Sequence, residues 1–423
     1  MKLLTDPKYV FRKNQKNYWR SKFSFTYKTK ELRTKGKNLK DSQEFQDQLD
    51  QALKIANRRP FRNDVALVVT ISVNQRNAPS IQNIVKNYID LICRMPISKK
   101  RKKSLILKDD LQIKYLSVTY SRNIDEYSSI RFDVVPYYYF LERIHLVKWL
   151  NLYNLTHYDD YEEQEDELIL DENSSEEFNY LVNKSKNEHL NENDEFWKLQ
   201  SQRKVQEVFL HNNRIKNKSL VDIYFPKTPI QNDLSKPLQD KNDKTNFESF
   251  LFKLNLDTFQ LDLGKLPSIT GEGELYKEEI ENQIVEYLKD KDFLKPLMST
   301  IGLTVIVKQG SIQHKDLDNI AREIIKVIIK KINPPTSQWN SLQEEEIEKF
   351  KQLNTEMNDK KFKNPSFPKS GFTKYKVIYL PPAKAVESEF IRLNIHDANY
   401  FYDFEQYIDR RFSKINEEGE FSR

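Results

Sequence analysis

PLMSTIGLTVIVKQGSIQHKDLDNIAREIIKVIIKKI, residues 296–332, has a diverged copy earlier in the chain: PFRNDVALVVTISVNQRNAPSIQNIVKNYIDLICRMP, residues 60–96. The two align without a gap at a constant offset of 236 residues. Pro60 meets Pro296, Asn83 meets Asn319, and Lys86 meets Arg322. The β-branched run Val65–Ile71 meets Ile301–Val307, and Ile84, Ile89 and Ile92 meet Ile320, Ile325 and Ile328. A short β-branched run favours a strand, and apolar residues spaced by three and four favour a helix. Each copy therefore reads strand, polar loop, helix, and the chain carries an internal duplication.

The flanks extend the match. KFSFTYK and then DSQEFQDQLDQALKIANRR precede the first copy; FQLDLGK and then LYKEEIENQIVEYLKDK precede the second. LQIKYLSVTYS and SSIRFDVVP follow the first copy, and KYKVIYLPP and SEFIRLNI follow the second. Alternation with aromatic and β-branched residues predicts strands in all four trailing segments. The expected fold class is α+β: two tandem β-α-β-α-β-β domains, residues 22–136 and 257–396. A basic aromatic arm, 1–21, precedes them. A largely helical, partly acidic connector, 137–256, joins them. The second copy carries an insertion, 333–372, and a closing helix occupies 397–423. Within the connector, 137–155 reads as an amphipathic helix, 159–177 as an acidic loop, 178–215 as one or two polar helices and 226–243 as a linker.

Composition narrows the function classes. The single cysteine, Cys93, excludes a disulfide framework and argues against a thiolate zinc site. No apolar run reaches the length of a membrane span, and residues 1–20 lack a signal-peptide core, so a cytoplasmic protein is expected. Net charge is only +6, yet residues 1–122 hold 28 Lys+Arg against 10 Asp+Glu. That asymmetry points to a polyanionic partner. SKKRKKS, 98–104, supplies Lys99, Lys100, Arg101, Lys102 and Lys103 as candidate phosphate contacts. KYVFRKNQKNYWRSK, 8–22, mixes Arg12, Lys13 and Arg20 with Tyr9, Phe11, Tyr18 and Trp19, a mixture suited to backbone contacts and base stacking. Solvated surface for the first stretch, and a terminal arm packed on the domain for the second, are the structural alternatives.

HKDLDNIAREIIKVI, 314–328, places Asp316 and Asp318 at the mouth of the second-copy helix. Acids there cap helices and complement the helix dipole. The same two acids can converge on a hard cation, since Mg²⁺ takes oxygen ligands and needs few carboxylates. The residues by themselves leave both readings open.

Element order and this D-x-D-N run together resemble the RusA-like Holliday-junction resolvases, whose pattern is D-L-D-N-x-x-K-x-x-x-D-A-L followed by an acidic pair and a strand. The second copy has Asp316-Leu317-Asp318-Asn319, with Arg322 at the lysine position. The first has Ser80-Ile81-Gln82-Asn83, without the acids, then Lys86, Asp90 and the pair Asp109-Asp110. The second copy lacks that pair; its nearest acids are Glu344, Glu345 and Glu346. The family's acids thus divide between the copies. The resemblance implies a Mg²⁺- or Mn²⁺-dependent endodeoxyribonuclease acting on DNA, including branched DNA. It implies Asp316 and Asp318 as metal ligands, Asn319 and Arg322 beside them, and Asp109, Asp110, Glu344 or Glu345 as further acids. Lys86 joins the nucleic-acid contacts, stabilising phosphate or orienting water. Two rivals stand beside the nuclease: a DNA-binding scaffold that kept the fold and lost cleavage, and a protein-interaction component docking partners, or a second copy of itself, through the acidic connector.

Overall fold

The computed structural model describes residues 7–33, 39–74, 79–93, 105–122, 126–153, 192–225, 261–264, 273–294, 297–308, 316–332, 372–380, 390–398 and 403–417. The chain is α+β. The first half runs α1 (Pro7–Ser21), β1 (Phe23–Thr29), α2 (Leu39–Ile55), β2 (Val65–Val73), α3 (Ile81–Cys93), β3 (Ile113–Arg122) and β4 (Ser128–Pro136). Helices α4 (Tyr137–Tyr153), α5 (Glu192–Asn212) and α6 (Asn217–Tyr224) follow. The second half runs β5 (Leu261–Asp262), α7 (Gly273–Leu288), β6 (Ile301–Lys308), α8 (Leu317–Ile332), β7 (Lys374–Leu380) and β8 (Phe390–Asp397), and α9 (Phe404–Glu417) follows. The repeat alignment carries the first residue of α3 onto the first residue of α8.

The described strands form one eight-stranded sheet, ordered β1-β4-β2-β3-β7-β6-β8-β5. Read from its two outer edges inward, each half has the same order. In each, the second strand pairs parallel with the third, β2 with β3 and β6 with β7. It also pairs antiparallel with the last strand, β4 or β8. The halves meet where β3 pairs antiparallel with β7, from Tyr115 opposite Ile378 to Thr119 opposite Lys374. Equivalent strands joined antiparallel create a local two-fold relation, with Ser117 and Lys376 facing each other near its centre.

Helix α8 shows why the repeat folds as it does. Leu317, Ile320, Ala321, Ile324, Ile325, Ile328 and Ile332 form one buried stripe. Lys330 and Lys331 sit in its last turn, where cations complement the helix dipole. Each fully buried aliphatic side chain contributes about 1.5–3 kcal/mol, so the stripe outweighs the modest helix propensity of Ile. Helix α3 buries the matching stripe, and α3 and α8 pack against each other. Both lie in one core with α2 and α7.

The other face of the sheet packs a second core contributed by α1, α4, α6 and α9. Helix α4, expected to be amphipathic, is covered on nearly every side, down to Arg143, His145 and Lys148. Neighbours α1, α6 and α9 close over the face that would otherwise meet solvent. The Arg143 guanidinium lies 4.1 and 4.2 Å from the Tyr18 and Phe412 ring centres and 2.6 Å from Asp409, which pairs the buried charge. The arm at 1–21 is therefore, from Pro7 on, a helix that packs Phe11 and Tyr18 inward. Arg12, Lys13, Trp19 and Arg20 remain on its exposed side.

Gly302 on β6 meets buried His396 on β8. A Cβ there would lie 2.5 Å from the His396 ring. The ring is fixed at both nitrogens. Nδ1 is 2.8 Å from the Asp397 carbonyl, which can only accept, so Nε2 accepts from the Thr304 hydroxyl at 3.0 Å. Gly302→Ala should cost about 1–3 kcal/mol through overpacking. Urea unfolding checks this; an unchanged midpoint would mean that the ring relocates freely.

Candidate metal centre

The middle of α3, the turn before β3 and the start of α8 bring together residues from both halves. Asp316 stands just before α8. Its main-chain carbonyl accepts the first helical bond from Ile320 N at 3.2 Å. Its Oδ1 accepts from the Asn319 side chain at 2.7 Å. The first copy makes the same local bond, Asn83 Nδ2 to Ser80 Oγ at 2.8 Å. The Asn at this position thus positions its third-preceding neighbour, and Asp316 Oδ2 is turned elsewhere, 3.3 Å from Lys86 Nζ.

Asp318 lies inside the first turn of α8 with its side chain 3% exposed. Neither of its oxygens accepts a hydrogen bond of good geometry, although Lys86 Nζ lies 3.1 Å away. Capping does not account for a buried carboxylate so poorly satisfied. Burying an ionised group without full compensation is costly.

The third carboxylate comes from the first half. Residues 110–112 form a short 3-10 turn before β3, capped by Asp109, whose Oδ1 accepts from Leu111 N at 3.0 Å. Gln112 Oε1 accepts from Asp109 N at 3.2 Å and Lys108 N at 2.7 Å. Its Nε2 donates to the carbonyls of Phe61 and Asn63 at 3.2 and 2.9 Å. This turn separates the roles of two adjacent acids. Asp109 holds the backbone, and Asp110 reaches Lys86 Nζ at 3.1 Å. Ligand oxygens of Asp110, Asp316 and Asp318 all lie within 4.8 Å of one another.

Lys86 Nζ sits amid this group and is also 3.4 Å from Asp90, one turn along α3. Burial disfavours the ammonium, but Asp318, Asp316 and Asp110 outweigh that and raise its pKa. One ammonium does not neutralise the acids. Burial, with help from hydrogen bonding to Asp316 and Asp109, pushes Asp110 up to about 7. Burial, with repulsion from Asp316, pushes Asp318 up to about 6 despite Lys86. Burial acts on Asp316 in the same sense, but a hydrogen bond from Asp110, the charge of Lys86 and the Asn319 amide together bring it down to about 2. Asp110 and Asp316 are thus shifted in opposite directions. The donor set suits a hard dication: three carboxylates, an unsatisfied buried Asp318 and a deficit of positive charge.

Comparison with known protein families, curated proteins and solved structures returned no match. The reading of the centre therefore rests on its own geometry.

The structure separates the two cations that the motif alignment pairs. Arg322, aligned with the lysine of the motif, has Glu323 at 3.7 Å as its ion-pair partner among the described residues and is not brought to the acids. Lys86, expected to stabilise phosphate or orient water, stands beside the acids. The two-fold relation explains the exchange. A helix from one half presents its cation to the acids of the other, so the acids of α8 meet the lysine of α3. The part played by Asp90 was not foreseen, although its spacing of four from Lys86 is a legible helical ion pair. Lys99, Lys100, Arg101, Lys102, Lys103, His314, Glu344, Glu345 and Glu346 lie outside the described residues, as do 159–177, 226–243 and most of the insertion. No described helix is long and apolar enough to cross a membrane.

Proposed function

We propose that this chain is a structure-directed DNA endonuclease built from two RusA-like copies, hydrolysing phosphodiesters at a single composite centre. One observation carries the reading: Asp110 of the first half stands with Asp316 and Asp318 of the second, completing across the seam an acid set that neither copy holds alone. Mg²⁺ or Mn²⁺ would be held by these three carboxylates. A bound dication supplies phosphoryl polarisation and an activated water. The chain's own residues do the rest. Asn319 fixes the orientation of Asp316. Asp109 and Gln112 fix the turn that presents Asp110. Lys86 provides a cation next to the reacting phosphate. The basic excess of residues 1–122 supports DNA as the polyanion, and the two-fold arrangement of the sheet suits a branched substrate of similar symmetry.

The second half-site differs. Ser80 and Gln82 stand where Asp316 and Asp318 do, and neutral side chains do not replace anionic ligands for a hard cation. One chain should accordingly nick one strand. Purified protein is expected to nick branched DNA with Mg²⁺ or Mn²⁺ and to leave it intact in EDTA, as read on denaturing gels with each strand labelled in turn. Absence of cutting on branched and linear DNA with either ion would sink the nuclease reading. The scaffold reading would then take its place. A specific observation favours that second reading: an internal ammonium already neutralises part of the acid group.

A further inference from the structure

Lys86 stands where a cation belongs. Its Nζ is 3.1 Å from Asp110 and Asp318, 3.3 Å from Asp316 and 3.4 Å from Asp90. A Mg²⁺ ion binds carboxylate oxygens at about 2.0–2.1 Å. An ion bound by these carboxylates would draw on the same groups that now pair with Nζ and would lie within roughly 5 Å of its present position, where two positive centres repel even in a partly screened site. The ammonium and a dication would compete for the same carboxylates.

From this geometry we infer that Lys86 is the resident counter-ion of the resting centre, displaced toward Asp90 when a dication is taken up. The inference rests on the metal-centre reading and adds its regulation: metal affinity is set by competition with an internal cation. Asp90 is the natural retreat. It lies on the same helix, one turn beyond Lys86, with a side chain 11% exposed, and it does not belong to the three-acid group. The Lys86 side chain is 16% exposed, so its stem has an outward path. Swinging to Asp90 keeps the ammonium paired and leaves Asp110, Asp316 and Asp318 free to ligate. The charge deficit left with Lys86 in place agrees with a centre that is incompletely satisfied by its own cation.

Mn²⁺ binding to the full chain, measured by calorimetry, tests this directly. Lys86→Met should bind Mn²⁺ at least about tenfold more tightly than the unsubstituted chain, because the competitor is gone. Asp90→Asn should bind it several-fold more weakly, because the displaced ammonium loses its partner, although Asp90 is not a ligand. In crystals soaked with Mn²⁺, an anomalous peak among the three aspartates should accompany movement of Lys86 Nζ away from Asp316 and Asp318. If Lys86→Met proves poorly folded without metal, thermal melts at increasing Mn²⁺ report the same affinity, since binding to the native state stabilises it in proportion to the logarithm of saturation. A larger Mn²⁺-induced shift than in the unsubstituted chain supports the inference. Equal or weaker Mn²⁺ binding by Lys86→Met would overturn the displacement and leave the metal centre standing. So would a Lys86 that keeps its contacts beside a bound ion. No Mn²⁺ binding by either protein would overturn both.

Discussion

Asp110→Asn is expected to abolish divalent-dependent cleavage as completely as Asp318→Asn. Each substitution would remove one of the three carboxylates proposed to hold the ion. A bound ion supplies several kcal/mol of transition-state stabilisation, so losing it costs roughly a thousandfold or more in rate. The neighbouring acid provides the control. Asp109 caps the turn and does not join the ligand group, so Asp109→Asn should lose about 1 kcal/mol or less of stability and keep most activity. Single-turnover cleavage of a labelled branched substrate, with folding checked by circular dichroism, separates the outcomes. Near-normal cleavage by Asp110→Asn would show that the second half works alone. Equal losses at Asp109 and Asp110 would show that only the turn matters.

The metal-free protein should lose stability as the pH rises from about 4 to about 7. A carboxyl held above its ordinary value stays protonated in the fold while it ionises in the unfolded chain. The native state then binds more protons, and stability falls with rising pH. Asp110, raised from 3.8 to about 7, and Asp318, raised from 3.8 to about 6, both act in this window. At about 1.4 kcal/mol per pKa unit, the two together should cost on the order of 6 kcal/mol between its two ends. The other two groups act outside it. Asp316, depressed to about 2, contributes stability above 3.8 that is lost as the pH falls toward 2. Lys86, raised above 10.5, contributes stability that is full below 10.5 and lost only at higher pH. Urea unfolding in EDTA at pH 4.5 and pH 8 measures the effect as a difference between the unsubstituted chain and Asp318→Asn. The variant should gain stability at pH 8 and change little at pH 4.5. Saturating Mn²⁺ should reverse the trend in the unsubstituted chain, because ligation favours ionised carboxylates. A pH-independent difference between the two proteins would show that Asp318 is not held protonated.

Much of the local structure was legible in the sequence. The constant offset between residues 60–96 and 296–332 placed a helix in each copy, and the two helices start at equivalent residues, because a helix stripe and a strand run are short-range patterns. Asp316, Asp318 and Asn319 could be singled out for the same reason. All three lie within one turn of one helix, where spacing alone determines which side chains converge. The closing helix at the chain's end was similarly visible.

What the sequence left open were the partners of these groups across the chain. Asp110 and Asp316 are 206 residues apart. Nothing in the neighbourhood of either says whether Asp109 or Asp110 faces the centre, or which of Lys86 and Arg322 meets the acids. Those choices follow from the antiparallel pairing of β3 with β7, which sets α3 beside α8 and turns the first half's lysine toward the second half's aspartates. Edge strands carry unpaired backbone groups that any suitable partner can satisfy, so local composition specifies a strand but not its neighbour. The helix stripes and the paired acids were determined residue by residue in the sequence. The composite centre was decided by how two repeated halves close into one sheet, because only that closure brings the buried charges of one half within reach of the compensating charge of the other.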